Sequence, residues 1–307
     1  MRKRSVTLAM VLCLSLVIPV LEGLAGTATA ADPKEITFAL IQDERMSVLS
    51  KRWQSTFEYL SKKIGKKINF YATTSYASAV EAMMGGFVHV AKLGPKIYLV
   101  AAEKSQKTIV PIVNFARAPD RITDHPCGCY YGVLITKKGS GLTSLASLKG
   151  TVLALTDPGS TSGNAVPRAL FPREIGGATL EEYFGKIFYS GSHDASAVAV
   201  AQGRADAAFV ASSNLSNTIG RGMVKKADLN FLWKSPQIPI DNISVNTKNL
   251  SQSLIKQIQD SFLGMHEDEE GRAALKELFT DRFLVATDET YDPLRRILEV
   301  KKKLKKK

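Results

Sequence analysis

A strand pattern followed by a helix pattern recurs along almost the whole chain, and this alternation restricts the fold more than any other feature. "EITFALI" (35–41) is a short β-branched and aromatic run, and Val48, Leu49, Trp53, Phe57, Leu60 and Ile64 then keep helical spacing. Residues 66–71 read as a second strand, and "SYASAVEAMMGG" as a helix that starts near Ser75 and stops at Gly85 and Gly86. "FVHVAKLG" is a strand, and "PKIYLVAAEK" a helix with proline in its first turn. The second half repeats the pattern. "YYGVLITKK", "TVLALT", "KIFYSG" and "AAFVA" are strands, and helices are expected over "SLASLKG", Ser162 to Leu170, "DASAVAVAQG" and Asn214 to Arg221. "LNFLWKS" and "DNISVN" follow, then a helix from Gln252 to about Met265 whose Leu254, Ile255, Ile258, Phe262 and Leu263 share one face.

Such alternation predicts an α/β architecture with mainly parallel sheets. About ten strand–helix units exceed what one small sheet needs, so two sheets are expected, one per lobe. The chain would cross between lobes at "YYGVLI" (130–135) and again around "SPQIPID" (235–241). Two crossings make the first lobe discontinuous, 31–130 with 240–300, and leave 131–239 as the second. Ligands of open α/β sheets bind beyond the carboxyl ends of the strands, and two hinged lobes can close on that place from both sides.

Residues 1–30 stand apart. "MRKR" is a positive start, Val6 to Val20 an apolar run too short to span a bilayer comfortably, and Ala28-Thr29-Ala30 a small-x-small site, which together predict a secretory signal peptide cut after Ala30. Cys13 follows Leu12 rather than a small residue, so lipidation is not expected. The remaining 277 residues suffice for one large or two mid-sized domains and hold no second apolar run of about 20 residues. The net charge of +12 suggests a nucleic-acid partner only until it is located. The tail 301–307, "KKKLKKK", and the "RKR" of the leader account for most of it, and without them about +3 remains. The tail reads as a solvated, disordered end. After processing only Cys127 and Cys129 are left, in "DHPCGCYY". Together with His125 they supply too few donors for a metal site, and a Cys-x-Cys ring is tight for a disulfide, so no metal or cofactor is expected.

The chemistry gathers at "DPGSTSG" (157–163), where a strand hands over to a helix. Asp157-Pro158-Gly159 makes a turn, and Ser160, Thr161 and Ser162 fall at the cap and first turn of the helix. The first N–H groups of a helix lack partners and carry partial positive charge, so hydroxyls added there make an anion cradle without a formal cation. Gly163 would let an oxygen approach the backbone. A plain helix cap uses the same residue types. The lysine of a nucleotide loop is absent. His193 and Asp194, in "SGSHDAS", stand at a second strand-to-helix junction. There Asp194 suits a cap, and His193 either a structural role or a donor to an anion.

"DPGSTSG", "SGSHDASAVAVAQGRADAAFV" and "SPQIPID", in this order, resemble the periplasmic phosphonate- and phosphite-binding components of ABC transporters, and "LGPKIYLVA" and "YYGVLITKKGSGLTSLASLKG" are similar to that family too. The resemblance spans most of the chain after residue 30. It implies the two-lobed periplasmic binding protein fold of type II, with two sheets, flanking helices and a two-segment hinge, and a periplasmic location. It also implies a small phosphorus oxyanion as ligand and an ABC permease with its cytoplasmic ATPase as partner. No nucleic acid would be bound, and the membrane would be met only through the permease. The family's hydroxyl cradle falls on Ser160, Thr161 and Ser162, its oxygen-binding histidine on His193, its first-lobe aromatic on Tyr76, its hinge tyrosine on Tyr130, and its carboxylate on Asp241.

The pattern also departs from the family. Ser213 stands where binders of aminoalkylphosphonates carry a glutamate that grips the ligand amine, which shifts the expectation toward phosphite, methylphosphonate or phosphate. Two ionised groups in contact repel by roughly 4 kcal/mol at an effective dielectric near 20. Asp241 would therefore need a P–OH proton or a cationic substituent opposite it, which disfavours sulfate. Other readings of the same residues are a serine hydrolase built on Ser160 or Ser162 with His193, a binding protein that reports to a sensor kinase, and a binder of a non-phosphorus ligand such as a sulfonate. "GSTSG" is not the nucleophile elbow of the hydrolases.

Overall fold

The computed structural model describes residues 32–117, Ile122 and residues 128–304. The leader, residues 118–121 and 123–127, and the last three lysines lie outside the described residues. So do His125 and Cys127, while Cys129 is disulfide-bonded.

Among the described residues, thirteen strands are interspersed with helices. The first group is β1 (Glu35–Leu40), β2 (Lys67–Ala72), β3 (Val90–Leu93) and β4 (Ile109–Ala116). The chain continues with β5 (Cys129–Tyr130), β6 (Gly132–Lys137), β7 (Val152–Leu155), β8 (Lys186–Tyr189) and β9 (Ala207–Ala211). It ends with β10 (Leu229–Lys234), β11 (Ile238–Pro239), β12 (Asn242–Asn246) and β13 (Arg282–Val285). They form a six-stranded sheet in the order β13-β4-β12-β3-β1-β2, a five-stranded sheet in the order β10-β6-β9-β7-β8, and a two-stranded ribbon of β5 with β11. The ribbon, with Tyr130 opposite Ile238, carries both connections between the sheets, so the molecule has two lobes on a two-segment hinge.

The sheets are mixed rather than mainly parallel. β1 pairs in parallel with β2 and β3, but β12 is antiparallel to both β3 and β4, and β13 is antiparallel to β4. In the second lobe β7 is parallel to β8 and β9, whereas β6 is antiparallel to β9 and β10. The hinge is the reason. β6 and β12 arrive from it and must run against the strands that lead toward it, while β13, at the edge of the first sheet, runs with β12 although it is built within the lobe. The parallel strands therefore end facing the opposite lobe, where ligand sites of such sheets lie.

Each lobe holds its own aromatic core. Phe38 of β1 stacks against Trp53 at 5.5 Å between ring centroids and against Phe57 at 5.2 Å, both from the helix Met46–Ile64 at the expected helical spacing. In the second lobe Phe171 meets Phe209 at 5.1 Å and Trp233 at 5.7 Å, edge to face. The helix Asp292–Leu304 lies against both lobes. Its Leu294 shares a buried cluster with Tyr130, Ile238 and Val166, and it packs against the helix Val166–Leu170 of the second lobe. The helix reaches Leu304, so it extends into the lysine tail that the sequence reads as disordered.

Candidate functional site

Four helix starts converge between the lobes. In the first lobe Ser75 caps the helix Tyr76–Met84 through a reciprocal box with Ser78, and Gly94 precedes the helix Pro95–Lys104. In the second lobe Ser160 caps the helical segment that opens at Thr161, and Ser192 caps the helix His193–Ala201. The first turns meet partners in the facing lobe. The Lys96 N–H donates to Thr161 Oγ1 at 2.9 Å, and the His193 N–H donates to the Asp43 carbonyl at 3.0 Å. Asp157 accepts from the Gly159 N–H at 2.6 Å and from the backbone of Tyr76. The lobes are closed on one another.

The helix after Ser160 begins as a wide π turn, Thr161–Ala165, and narrows to α only at Val166–Leu170. The Ala165 N–H reaches back five residues to the Ser160 carbonyl at 3.0 Å. Such turns are frequent at functional sites. The Ser160 hydroxyl accepts from the Gly163 N–H at 3.1 Å, so one of the three hydroxyls is a cap as well as a cleft residue. Gly163 has a different reason from the one the sequence suggests. A Cβ there would lie 2.1 Å from Thr156 Oγ1, so the glycine lets the helix pack on the end of β7.

Thr156 in turn positions His193. Its Oγ1 lies 3.0 Å from His193 Nδ1, and the same nitrogen accepts from the Ala211 N–H at 3.0 Å. A ring nitrogen that accepts a backbone N–H carries no proton, so the ring is the neutral tautomer with its proton on Nε2. Burial pushes His193 down to about 4, against a partial pull upward from Asp43 and Asp194. The histidine is a neutral donor at physiological pH. Nδ1 is already committed, and Ser160 bonds Gly163, so no serine–histidine pair of a hydrolase forms among the described residues. Asp194 is not the cap; it follows the cap Ser192, accepts from its hydroxyl at 2.5 Å, and holds Arg45 of the first lobe at 3.2 Å.

This neutral burial has a measurable cost in acid. The unfolded chain binds the histidine proton below about 6.5, and the folded chain only below about 4. Between those values the unfolded state holds more protons, so stability is full above pH 6.5 and is lost as pH falls toward 4, by about 3 kcal/mol in all. Chemical denaturation from pH 7 to pH 4 should show that loss, and His193→Gln should remove most of its slope. An unchanged slope in the variant would assign it to other groups.

Tyr76 is 2% exposed and Tyr130 5%. Burial raises both phenols, with Asp43 and Asp241 raising them further, so both keep their protons and can donate. Tyr130 lies against Thr161 and Ser162, which draw its phenol part of the way back. The Tyr76 hydroxyl and the Ser162 hydroxyl are buried without a well-formed hydrogen bond. Unpaired buried donors are costly, so each of these two calls for an acceptor. Asp241 sits close by: a Cβ on Gly94 would lie 3.7 Å from Asp241 Oδ1 and 3.9 Å from Thr161 Oγ1. Tyr76, Tyr130, Ser160, Thr161, Ser162, His193 and Asp241 thus share one cleft, while Gly163 stands behind it.

The cleft also holds a formal cation, which sequence reasoning missed. Lys92, on β3, is buried with its Nζ bonded to Asp43 Oδ2 and 2.9 Å from Asp241 Oδ2. Burial lowers an ammonium, but the two carboxylates outweigh it and hold Lys92 above the ordinary lysine value. Burial raises Asp43 too, yet Lys92 and then Arg52 keep it below the usual carboxylate range. Asp241, with Asp43 adding to its burial, stays raised despite Lys92. The signal was a lysine inside the apolar run of "FVHVAKLG", at the end of a buried strand where charge is rare.

The neighbouring loop closes the lobes. Glu44, fully buried, accepts from Arg52 at 3.1 Å within its lobe and pairs with Arg221 at 2.9 Å and Asn217 at 3.2 Å across the cleft.

The family model described as "ABC transporter, phosphonate, periplasmic substrate-binding protein" matches residues 38–291. A phosphate-import protein, PhnD, of Mycolicibacterium smegmatis is 29% identical over 90% of this chain and 88% of its own. The phosphonates-binding periplasmic protein of Escherichia coli is 28% identical over 86% and 76%. Among solved structures, a binding protein component of an ABC phosphonate transporter from Pseudomonas aeruginosa superimposes with a TM-score of 0.79 at 24% identity, over 89% of this chain and 88% of that one. PhnD1 of Prochlorococcus marinus, solved with methylphosphonate, gives 0.75 at 21% identity over 90% and 100%. The matched span takes in both sheets and every cleft residue named above, and the chain belongs to the family of periplasmic substrate-binding proteins of phosphonate ABC transporters.

Proposed function

We propose that this chain captures a small tetrahedral phosphorus oxyanion (phosphite, methylphosphonate or phosphate) between its lobes and hands it, unreacted, to a membrane permease driven by a cytoplasmic ATPase. The observation that carries the reading is that Tyr76 Oη in one lobe and Ser162 Oγ in the other are each buried without a well-formed hydrogen bond. Around them Thr161, Tyr130 and the Nε2–H of His193 add donors, and the converging helix starts add partial positive charge. Of the carboxylates nearby, Asp43 is paired with Lys92, and Asp241 shares the same ammonium. Tetrahedral oxygens fit a cradle of hydroxyls and N–H groups, and no activated nucleophile stands beside them. Asp241 Oδ1, on the Gly94 and Thr161 side, would accept a P–OH proton, which sulfate lacks. The leader ending at Ala30 would deliver the chain to the periplasm. The lobes, 31–130 with 240–300 and 131–239, would open and close about Tyr130 and Pro239.

A thermal-shift panel tests this. With ligand about a hundredfold above its Kd, at least one of phosphite, methylphosphonate and phosphate should raise the melting temperature by roughly 5–10 °C. Sulfate should give no shift. A panel in which no phosphorus oxyanion stabilises the protein, or steady release of phosphate from ester substrates, would defeat the proposal.

A further inference from the structure

We infer that Lys92 is a built-in counter-cation that restricts the site to phosphorus oxyanions whose substituent carries no positive charge. Its ammonium occupies, from within the chain, the place between Asp43 and Asp241 that a ligand ammonium would take. The inference rests on the oxyanion reading of the cleft and deepens it.

The geometry is that of a filled cation slot. Nζ bridges two carboxylates, which come from the loop after β1 and from the segment just before β12. The side chains of Lys92 and Asp43 are 7% and 6% exposed, so little water replaces either partner. The slot lies on the side of the first lobe that meets the hydroxyl cradle, because the His193 N–H donates to the Asp43 carbonyl at 3.0 Å and a Cβ on Gly94 would lie 3.7 Å from Asp241 Oδ1 and 3.9 Å from Thr161 Oγ1. The second lobe brings neutral groups to this corner. Asn214 Nδ2 donates to Asp43 Oδ2 at 3.4 Å, and Ser213 is its chain neighbour. The other charges nearby are accounted for: Glu44 is held by Arg52 and Arg221, Arg52 also bears on Asp43, and Arg117 bears on Asp241.

A buried lysine is tolerated only where its charge is matched and its donors are used. Here the match has a consequence for recognition. Without the ammonium, two carboxylates would face one cleft and attract a cationic substituent. With it, an incoming ammonium meets a like charge in a water-poor corner and has no carboxylate left to pair with exclusively. Building a repulsive element against the wrong ligand is how specificity is usually obtained.

The test uses a matched pair, ethylphosphonate and aminomethylphosphonate, which differ by exchange of a methyl for an ammonium, with methylphosphonate as the common control. Calorimetric titration of the wild-type protein should favour ethylphosphonate by at least about thirtyfold. Lys92→Met should lower that ratio by at least about thirtyfold, and in the double variant Lys92→Met with Asp241→Asn at least about tenfold of the gain should be lost again. Lys92→Gln, which keeps a buried donor without charge, serves if the methionine variant does not fold. Wild-type protein that binds the amine as tightly as its methyl analogue overturns the inference without recourse to any variant, and so does a folded Lys92 variant with an unchanged ratio. Wild-type protein that binds phosphite or phosphate but none of the three overturns the inference alone, and protein that binds no phosphorus oxyanion at all overturns the oxyanion reading with it.

Discussion

Thr161→Ala combined with Ser162→Ala is expected to weaken binding of the preferred oxyanion by roughly a hundred- to ten-thousand-fold while the unliganded protein stays folded. Hydrogen bonds to charged groups contribute about 1.5–3 kcal/mol each, and two are removed. The pair is chosen because its hydroxyls face the cleft. Ser162 Oγ is buried without a well-formed hydrogen bond, so in the free protein its loss is felt chiefly by the Tyr130 phenol that lies against it. Thr161 Oγ1 accepts from Lys96 across the cleft, so its loss also weakens the closed form. Ser160 is left in place because it caps the helix, and Ser160→Ala would cost about 1 kcal/mol of stability for reasons unrelated to ligand. Calorimetric titration measures the loss, and circular dichroism checks the fold. A folded double variant with wild-type affinity would remove these hydroxyls from the site.

The reading of Thr161 and Ser162 came from the sequence because their chemistry is local. Hydroxyls at a strand-to-helix junction can be read as an anion cradle without any distant contact, although a plain cap uses the same residue types and Ser160 is such a cap. The alternation of strands and helices was legible for the same reason, and the helix Tyr76–Met84 matches its expected start and its glycine stop. What was missed depends on contacts far apart in the chain. The direction of β12 follows from the hinge and not from its own composition. The π turn at Thr161 depends on Ser160 reaching Ala165, which side-chain periodicity does not reveal. The helix Glu269–Glu277 and β13 lay beyond the last expected helix. Yet Asp268 caps that helix and Glu269 and Glu270 fill its first turn, so a capping signal was present. Lys92 was hidden because its partners, Asp43 and Asp241, lie 49 and 149 positions away. The expectation of a cradle without any formal cation fails for that reason. Asp241 finds its countercharge in the protein, and not only in the ligand.

Gly159→Ala should separate binding from folding in the opposite way, by acting on closure alone. A Cβ at this position would stand 2.6 Å from the Tyr76 Cβ and 3.3 Å from Ile97 Cδ1, both in the facing lobe. Within its own lobe its nearest contact would be Asp157 Oδ1, at 3.0 Å, which the carboxylate can relieve by a small shift. Tyr76 cannot yield in the same way, because its Cβ sits on the first residue of a helix fixed by the Ser75–Ser78 box. The lobes must therefore part by about 1 Å to restore ordinary contact, and overpacking of this kind costs about 1–3 kcal/mol. That separation also stretches the 2.9 Å bond from Lys96 to Thr161 beyond useful length. Affinity should fall about ten- to a hundredfold, and further with valine, whereas the melting temperature of the open, unliganded protein should hold within about 2 °C. Small-angle scattering at saturating ligand should show a larger radius of gyration for the variant than for the wild type. If the alanine variant compacts and binds as the wild type does, the contact between Gly159 and Tyr76 is not part of the liganded state, and the anion would have to be held by a more open arrangement of the same residues.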